Sequence, residues 1–414
     1  MAIKVVGRLD RRSLMAPILL LVSAAAVTAM TIPSAPNLID FHVYMLGGAA
    51  LSDPGSLYSF AYTAQSPDQP LPFVYPPFAA LLFWPLTWLP FPVAGLLWQL
   101  AMLVAVYAVV RVSQRLIGSG SQRSAMLWTA GVIWLEPVRI AFNMGQIGVF
   151  LTLAVLYAVY SRRWWVSGLL VGLAAGVKLT PAIAGFYFIG LRRWATVAFS
   201  AVVFLATIGL SYPVVGNQVQ HYFTHVMGDT SVNPIGIVYN QSWRGGLTRI
   251  VGHDSGQRAL LLTAIALTAV LAVLAWRALG ATGQPRDRLG SLLIVELFGL
   301  MASPISWVHH WVWVVPLAMW LLTGPWREQP GARIFGYGWL VLTLVSVPSL
   351  LAFAEPTRWT ISRPWYLAWA GLAYLVAAIA TLAWIVVTGR RVHRYRESQS
   401  DPAPEPDAAV ALRR

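Results

Sequence analysis

The stretch LMAPILLLVSAAAVTAMTI, residues 14–32, decides the fold class of this chain. A spanning helix takes about 20 apolar residues, and this stretch supplies them. Lys4, Arg8, Arg11 and Arg12 stand before it, so its start has the charged and apolar regions of a signal sequence. No small-residue cleavage site follows and many more apolar stretches do, so it reads as an uncleaved first helix. Just past it, Pro36-Asn37-Leu38-Ile39-Asp40-Phe41-His42-Val43-Tyr44 sets a carboxylate at the lipid–water boundary beside aromatic rings.

The composition agrees. Hydrophobic residues make up 57% and charged residues 11% of the chain; soluble domains have roughly 45–50% and about 25%. With 20 Trp and a mean hydropathy of +0.64, the chain is a polytopic membrane protein. Cysteine is absent, which excludes disulfides and thiolate ligands. A net charge of +14 could point to nucleic acid, but in this class basic cytoplasmic loops account for it. Only Lys4 and Lys178 among the basic residues are lysines, which singles out Lys178.

Spans are expected near 14–32, 77–110, 124–142, 146–161, 164–178, 180–191, 194–212, 258–276, 290–305, 307–323, 334–353 and 365–388. The all-α reading therefore has about 12 transmembrane helices. The 77–110 stretch is too long for one straight span, and Pro85, Pro90 and Pro92 divide it. Threaded this way, 22 of the 29 Lys and Arg fall on one side, including both chain ends. That side is cytoplasmic by the positive-inside rule. The expected organisation is a cytoplasmic N-terminus over 1–13, a membrane domain over 14–388 and a disordered cytoplasmic tail over 389–414. Two long loops, 33–76 and 213–257, fall on the outer side. They carry many aromatics and histidines, which suits a sugar ring and a lipid headgroup together.

Ionisable groups near spans are expensive, so each is a functional hypothesis. Asp40, Glu136, Arg139, Lys178, Arg244, His309 and His310 all map to outer helix ends or outer loops. A transporter should place such groups near the midplane, where Glu296 alone is expected. Taken singly, each has a bland reading. An interfacial Asp is often a cap, Lys178 could snorkel to headgroups, and the aromatics could be belt residues. His309 and His310 are helix neighbours and point about 100° apart, so a zinc pair is not expected. Convergence on one face raises the functional reading.

Five segments in order resemble glycosyltransferase family 87, the polyprenyl-phosphate-mannose-dependent mannosyltransferases of mycobacteria and their relatives. They are the Asp40 segment, Phe73-Val74-Tyr75-Pro76-Pro77-Phe78, Lys178-Leu179-Thr180-Pro181, Asn240-Gln241-Ser242 and Ser303-Pro304-Ile305-Ser306-Trp307-Val308-His309-His310-Trp311. The resemblance runs from about residue 36 to 320 and departs at Val308, where many relatives are expected to have an acidic residue. It implies a GT-C fold with an extracytoplasmic active site in the bacterial plasma membrane, and Asp40 as catalytic base. The chemistry expected of such a site puts Lys178, Arg244, His309 and His310 near the donor phosphate. Tyr75, Asn240, Gln241 and His42 become candidates for substrate binding. The expected reaction is inverting transfer of mannose from polyprenyl-phosphate-mannose to a mannosylated lipid or lipoglycan, through an α-(1→2) linkage. The acceptor is a phosphatidylinositol mannoside, lipomannan or lipoarabinomannan. No cofactor is expected, and with no Asp-x-Asp motif, no metal. The rivals are a polyprenyl-phosphate-arabinose-dependent arabinofuranosyltransferase and, from another class, a lipid-linked sugar transporter.

Overall fold

Proline and glycine cut the apolar runs into helices, and the cuts position the polar residues. The computed structural model describes residues 11–31, 38–65, 70–256, 259–280, 287–355 and 357–400. In chain order the first helices are α1 (Arg11–Thr31), α2 (Ile39–Ala49), α3 (Pro77–Phe83), α4 (Phe91–Ile117), α5 (Gln122–Val132), α6 (Glu136–Met144) and α7 (Gly148–Tyr160). Then come α8 (Trp164–Val177), α9 (Ala184–Gly190), α10 (Trp194–Val215), α11 (Gln218–His221), α12 (Trp243–Val251) and α13 (Ala259–Gly280). The last are α14 (Arg288–Ala302), α15 (Val314–Thr323), α16 (Ala332–Leu344), α17 (Val347–Ala352), α18 (Trp365–Ala370) and α19 (Ala373–Ser400). A two-stranded antiparallel hairpin, β1 (Ala61–Tyr62) and β2 (Leu71–Pro72), folds the first long loop.

Five helical segments among the described residues are long and apolar enough to cross a membrane: Phe91–Ile117, Trp194–Val215, Ala259–Gly280, Ala332–Ala352 and Ala373–His393. Helices α5 and α6, bent by 76° at their junction, make a sixth if taken as one span. The other apolar segments, such as Gly148–Tyr160 and Trp164–Val177, are 10–17 residues long. Each expected span has a helical counterpart, but breaks leave many of them too short to meet the length test for a full crossing. The 77–110 run divides as its prolines require: α3 runs into a 3₁₀ segment containing Pro85, and α4 restarts after Pro90.

Part of the range expected as a tail lies within a described helix. Helix α19 continues through Gly389 to Ser400, a stretch without proline that simply propagates the preceding helix. Residues 401–414 lie outside the described residues, as do 1–10, 32–37, 66–69, 257–258, 281–286 and 356. Lys4, Arg8, Pro36, Asn37, Arg258 and Arg286 are among them.

A glycine seam sets the position of α8. Gly168, Gly172 and Gly176 repeat every fourth residue and so lie on one face. That face packs against α10: a Cβ on Gly172 would come within 2.5 Å of the Ser200 carbonyl oxygen, and one on Gly168 within 2.9 Å of that of Thr196. Small residues are what let helix backbones approach closely where lipid removes the hydrophobic drive. Lys178 follows the seam by two residues and is the first residue past the helix.

Two apolar clusters meet at this level. The larger joins α4, α5, α7, α14, α15 and α19 and includes Trp311, Trp320 and Tyr374. The smaller lies under α2 and α3 and includes Phe41, Tyr44, Phe73, Tyr75 and Phe83. Substituting Gly172→Val should overpack the seam and cost at least about 2 kcal/mol, seen as a lower unfolding midpoint in detergent. Gly185→Ala is the control, since nothing lies within 4 Å of the added Cβ; it should be neutral or slightly stabilising.

Candidate functional site

Each charged group of the candidate site sits where a helix starts or stops. Leu38, at the start of α2, is held in the left-handed region at φ 49°, uncommon for a non-glycine residue. Its amide donates to the Asn143 carbonyl at 2.7 Å. The turn after α6 needs Gly145 at φ 72°, and a Cβ there would come within 2.7 Å of the Phe41 Cβ. This docking brings Gln146 to Asp40.

The site is built around that pair. Gln146 is buried and donates from its amide to the Asp40 carboxylate. Its Oε1 accepts from the Tyr44 hydroxyl at 3.2 Å, and the Tyr44 and Tyr75 hydroxyls are 3.0 Å apart. Tyr58 in turn donates to the Tyr75 carbonyl at 2.9 Å. Lys178 Nζ lies 5.3 Å from the centre of the Tyr75 ring, within cation–π range. On its other side Nζ is 3.0 Å from His310 Nε2. An ammonium so close to a second cation would be repelled, so Lys178 donates to a neutral imidazole. Burial pushes the Asp40 pKa up to about 6, while the Gln146 bond and the Lys178 charge pull the other way. The result is a carboxylate that holds its proton more readily than usual, beside a cation.

A lattice of backbone bonds carries the imidazoles. Residues 239–241 pair with 306–308: Gln241 N donates to Ser306 O at 2.8 Å, and Val308 N to Tyr239 O at 3.0 Å. The Asn240 side chain accepts from Ser306 N at 3.0 Å and donates to the Ile235 carbonyl at 3.1 Å. Gln241 donates to the carbonyls of Val238 and Gly371 at 2.6 and 2.9 Å and accepts from Tyr374 N at 3.1 Å. Beneath them, buried Arg249 donates to the carbonyls of Ile237, Asn240 and Gly371 at 2.8–2.9 Å.

The expected residues divide accordingly. Asp40, Tyr75, Lys178 and His310 come together. His309 is buried with its ring perpendicular to that of His310, and its Nε2 has no hydrogen-bond partner among the described residues; of the two, His310 is the one linked to Lys178. Asn240 and Gln241, expected as sugar ligands, are fully buried and spend their amides on the lattice. Arg244, expected at a phosphate, forms a two-pronged ion pair with Asp254 at 2.7 and 3.1 Å. His42 lies two residues along α2 from Asp40, so it points away from it and stacks between Phe91 and Tyr62. Glu136 accepts from Ser349 and from the Tyr374 hydroxyl, and Arg139 donates to Ser346 at 3.0 Å, so both tie helices together.

Sequence reasoning missed Gln146 and the inward role of Tyr44. The available signal was an amide directly after the helix-ending Gly145, inside a largely apolar run. Since Asn240 serves the lattice, Asn240→Ala should cost about 2 kcal/mol of stability through orphaned buried groups. The check is a lowered unfolding midpoint in detergent relative to the intact chain.

Similarity to known proteins identifies the family. The model of glycosyltransferase family 87 matches residues 73–304. A polyprenol-phosphate-mannose-dependent α-(1-2)-phosphatidylinositol pentamannoside mannosyltransferase from Mycolicibacterium smegmatis is 59% identical, covering 92% of each chain. A Mycobacterium tuberculosis protein of the same description is 57% identical over 92% of this chain and 89% of its own. A polyprenol-phosphate-mannose-dependent α-(1-2)-phosphatidylinositol mannoside mannosyltransferase from Mycobacterium tuberculosis is 31% identical over 93% of each. No solved structure matches the chain. With the family model spanning more than half of it, and relatives this similar over nearly its full length, the chain belongs to glycosyltransferase family 87.

Proposed function

We propose that this protein transfers mannose from polyprenyl-phosphate-mannose to a phosphatidylinositol mannoside, forming an α-(1→2) linkage with inversion. The observation that carries the reading is the continuous set Asp40, Gln146, Tyr44, Tyr75, Lys178 and His310. It sets a carboxylate with a pKa of about 6 near a cation braced by an imidazole. The names of the relatives supply the substrate class. Identity is 57–59% to the two described as pentamannoside mannosyltransferases and 31% to the mannoside mannosyltransferase described above. A pentamannoside is therefore the favoured acceptor.

In this mechanism Asp40 takes the proton of the acceptor hydroxyl as that oxygen attacks C1 of the mannose. A positioned base of this kind contributes about 10²–10⁴-fold. The C1–O bond to phosphate breaks as the new bond forms, and the electron pair leaves with the polyprenyl phosphate. Lys178 neutralises the charge gathering there, and His310, hydrogen-bonded to its ammonium, keeps it aimed. Gln146 orients the Asp40 carboxylate so that a lone pair faces the acceptor. A single displacement on a β-linked phosphosugar leaves an α-linkage. In the same reading the molecule is a GT-C protein with about twelve spanning or re-entrant segments. The Asp40 level lies at the extracytoplasmic face, and the arginine-rich turns are cytoplasmic.

The test is transfer of labelled mannose from polyprenyl-phosphate-mannose to pentamannoside acceptor by purified protein. Asp40→Asn, expressed at normal level, should lower the rate by at least about 100-fold; full activity in that variant would remove the base. A base must be ionised to act, so kcat/KM should halve near pH 6 on the acid side, and because burial lowers the Lys178 pKa to about 8, loss of its ammonium should bring a second fall above about pH 8. Below about pH 6 it should fall about tenfold per unit. Because the Gln146 bond favours the ionised carboxylate, Gln146→Leu should move this acid limb to higher pH. An unchanged limb in that variant would separate Asp40 from the titrating group.

A further inference from the structure

Glu296 is a buried acid that the proposed reaction leaves unused. It lines a cavity of about 380 Å³ between α7, α14 and the segment 178–183, together with Lys178, Thr180, Ser306 and His310. Ligand pockets span roughly 300–1,000 Å³, so this one suits a single small group. Leu151, Val155, Ile183, Leu300, Val312 and Trp313 make its walls apolar. Glu296 is 5% exposed, and its Oε1 has no hydrogen-bond partner among the described residues. Ser306 Oγ, on the same cavity, is also buried and without a partner among the described residues.

An unpaired polar group in apolar surroundings is costly, and in a membrane protein it is a functional signal by default. Three kinds of occupant can be weighed. A cation would face Lys178 in the same wall. A prenyl chain would leave the carboxyl and the hydroxyl still unpaired. A sugar ring satisfies both walls: its hydroxyls donate to Glu296 and bond Ser306, and its C–H faces lie on the leucines and Trp313. Lys178 and His310 on the same cavity suit a phosphate joined to that ring.

We propose that this cavity receives the hexose of the donor lipid and that Glu296 is the residue that reads its hydroxyls. The inference rests on the reading that the donor is a mannosylated polyprenyl phosphate. In this arrangement Glu296 and Ser306 determine whether a sugar-bearing lipid is preferred over the bare lipid phosphate released as product. Discharge of the sugar then removes the contacts that held the lipid most tightly.

The experiment measures the affinity of the purified full-length protein for polyprenyl-phosphate-mannose and for bare polyprenyl phosphate. The wild type should favour the mannosylated lipid by at least about tenfold, the scale of one or two hydrogen bonds. Glu296→Gln should erase most of that preference while binding bare lipid as before. Ser306→Ala, which removes only the unpartnered hydroxyl, should lower it about threefold and decides the matter if Glu296→Gln fails to bind either lipid. A preference unchanged in both variants overturns the inference. So does a Glu296→Leu variant that binds bare lipid more tightly at unchanged preference, which would make the cavity a prenyl channel. A wild type that shows the preference but transfers no mannose would sink the proposed reaction and leave the hexose pocket standing. Active transfer with a preference insensitive to both residues does the reverse.

Discussion

Everything at the candidate site depends on satisfying backbone groups where helices break inside an apolar body. A carbonyl left unbonded there costs several kcal/mol, because no water can reach it. The segments 235–242, 303–308 and the turn at Gly371 are irregular, and their carbonyls converge. One guanidinium resolves much of the problem: Arg249 donates to three of these carbonyls, one from each of Ile237, Asn240 and Gly371. The side-chain amides of Asn240 and Gln241 take up others. With that support the chain can cross beside Ser306 and Val308, present His310 and then resume as α15.

The same economy explains why the reactive groups lie at helix ends. A regular helix spends all its backbone bonds internally and offers only side chains along its length. Its ends offer sharp changes of direction. Lys178 follows α8, where Pro181 forbids simple continuation. Asp40 follows left-handed Leu38, and Gln146 follows left-handed Gly145. Three breaks in the chain thus meet at one level: a left-handed start, a glycine turn and a proline break, each aiming one functional group.

Much of this was legible in the chain. Apolar length and proline placement marked the helical segments and the division of 77–110, since both follow from local rules. Asp40, Tyr75 and Lys178 stood out because charge and aromatics at span ends are costly and few. What failed was the sorting of polar residues by role. Asn240, Gln241 and Arg244 looked like ligands from composition, but an amide that binds sugar and one that binds a carbonyl 130 residues away read alike. Gln146 was missed for the converse reason: an amide in a largely apolar run gives little sign that its partner lies on a distant helix. Span counts were equally exposed, because length along the sequence says nothing of a 76° bend between α5 and α6. The family resemblance, by contrast, rested on order and spacing, which survive such bends.

The glycine seam between α8 and α10 has a mechanical meaning. At Gly168 and Gly172 the carbonyls of α10 lie against the helix, with Phe199 and Val203 packed beside them, and at Gly176 the Thr207 side chain fills the space a Cβ would take, so the seam has little room to shear or repack. The two helices therefore behave as one stiff strut, and Lys178 rides on its end. Any widening of the cavity beside Lys178 must come from α14, which meets the 180–183 turn through side chains such as Ile183 over Gly299. The cation is thus the fixed jaw of the site and α14, bearing Glu296, the yielding one.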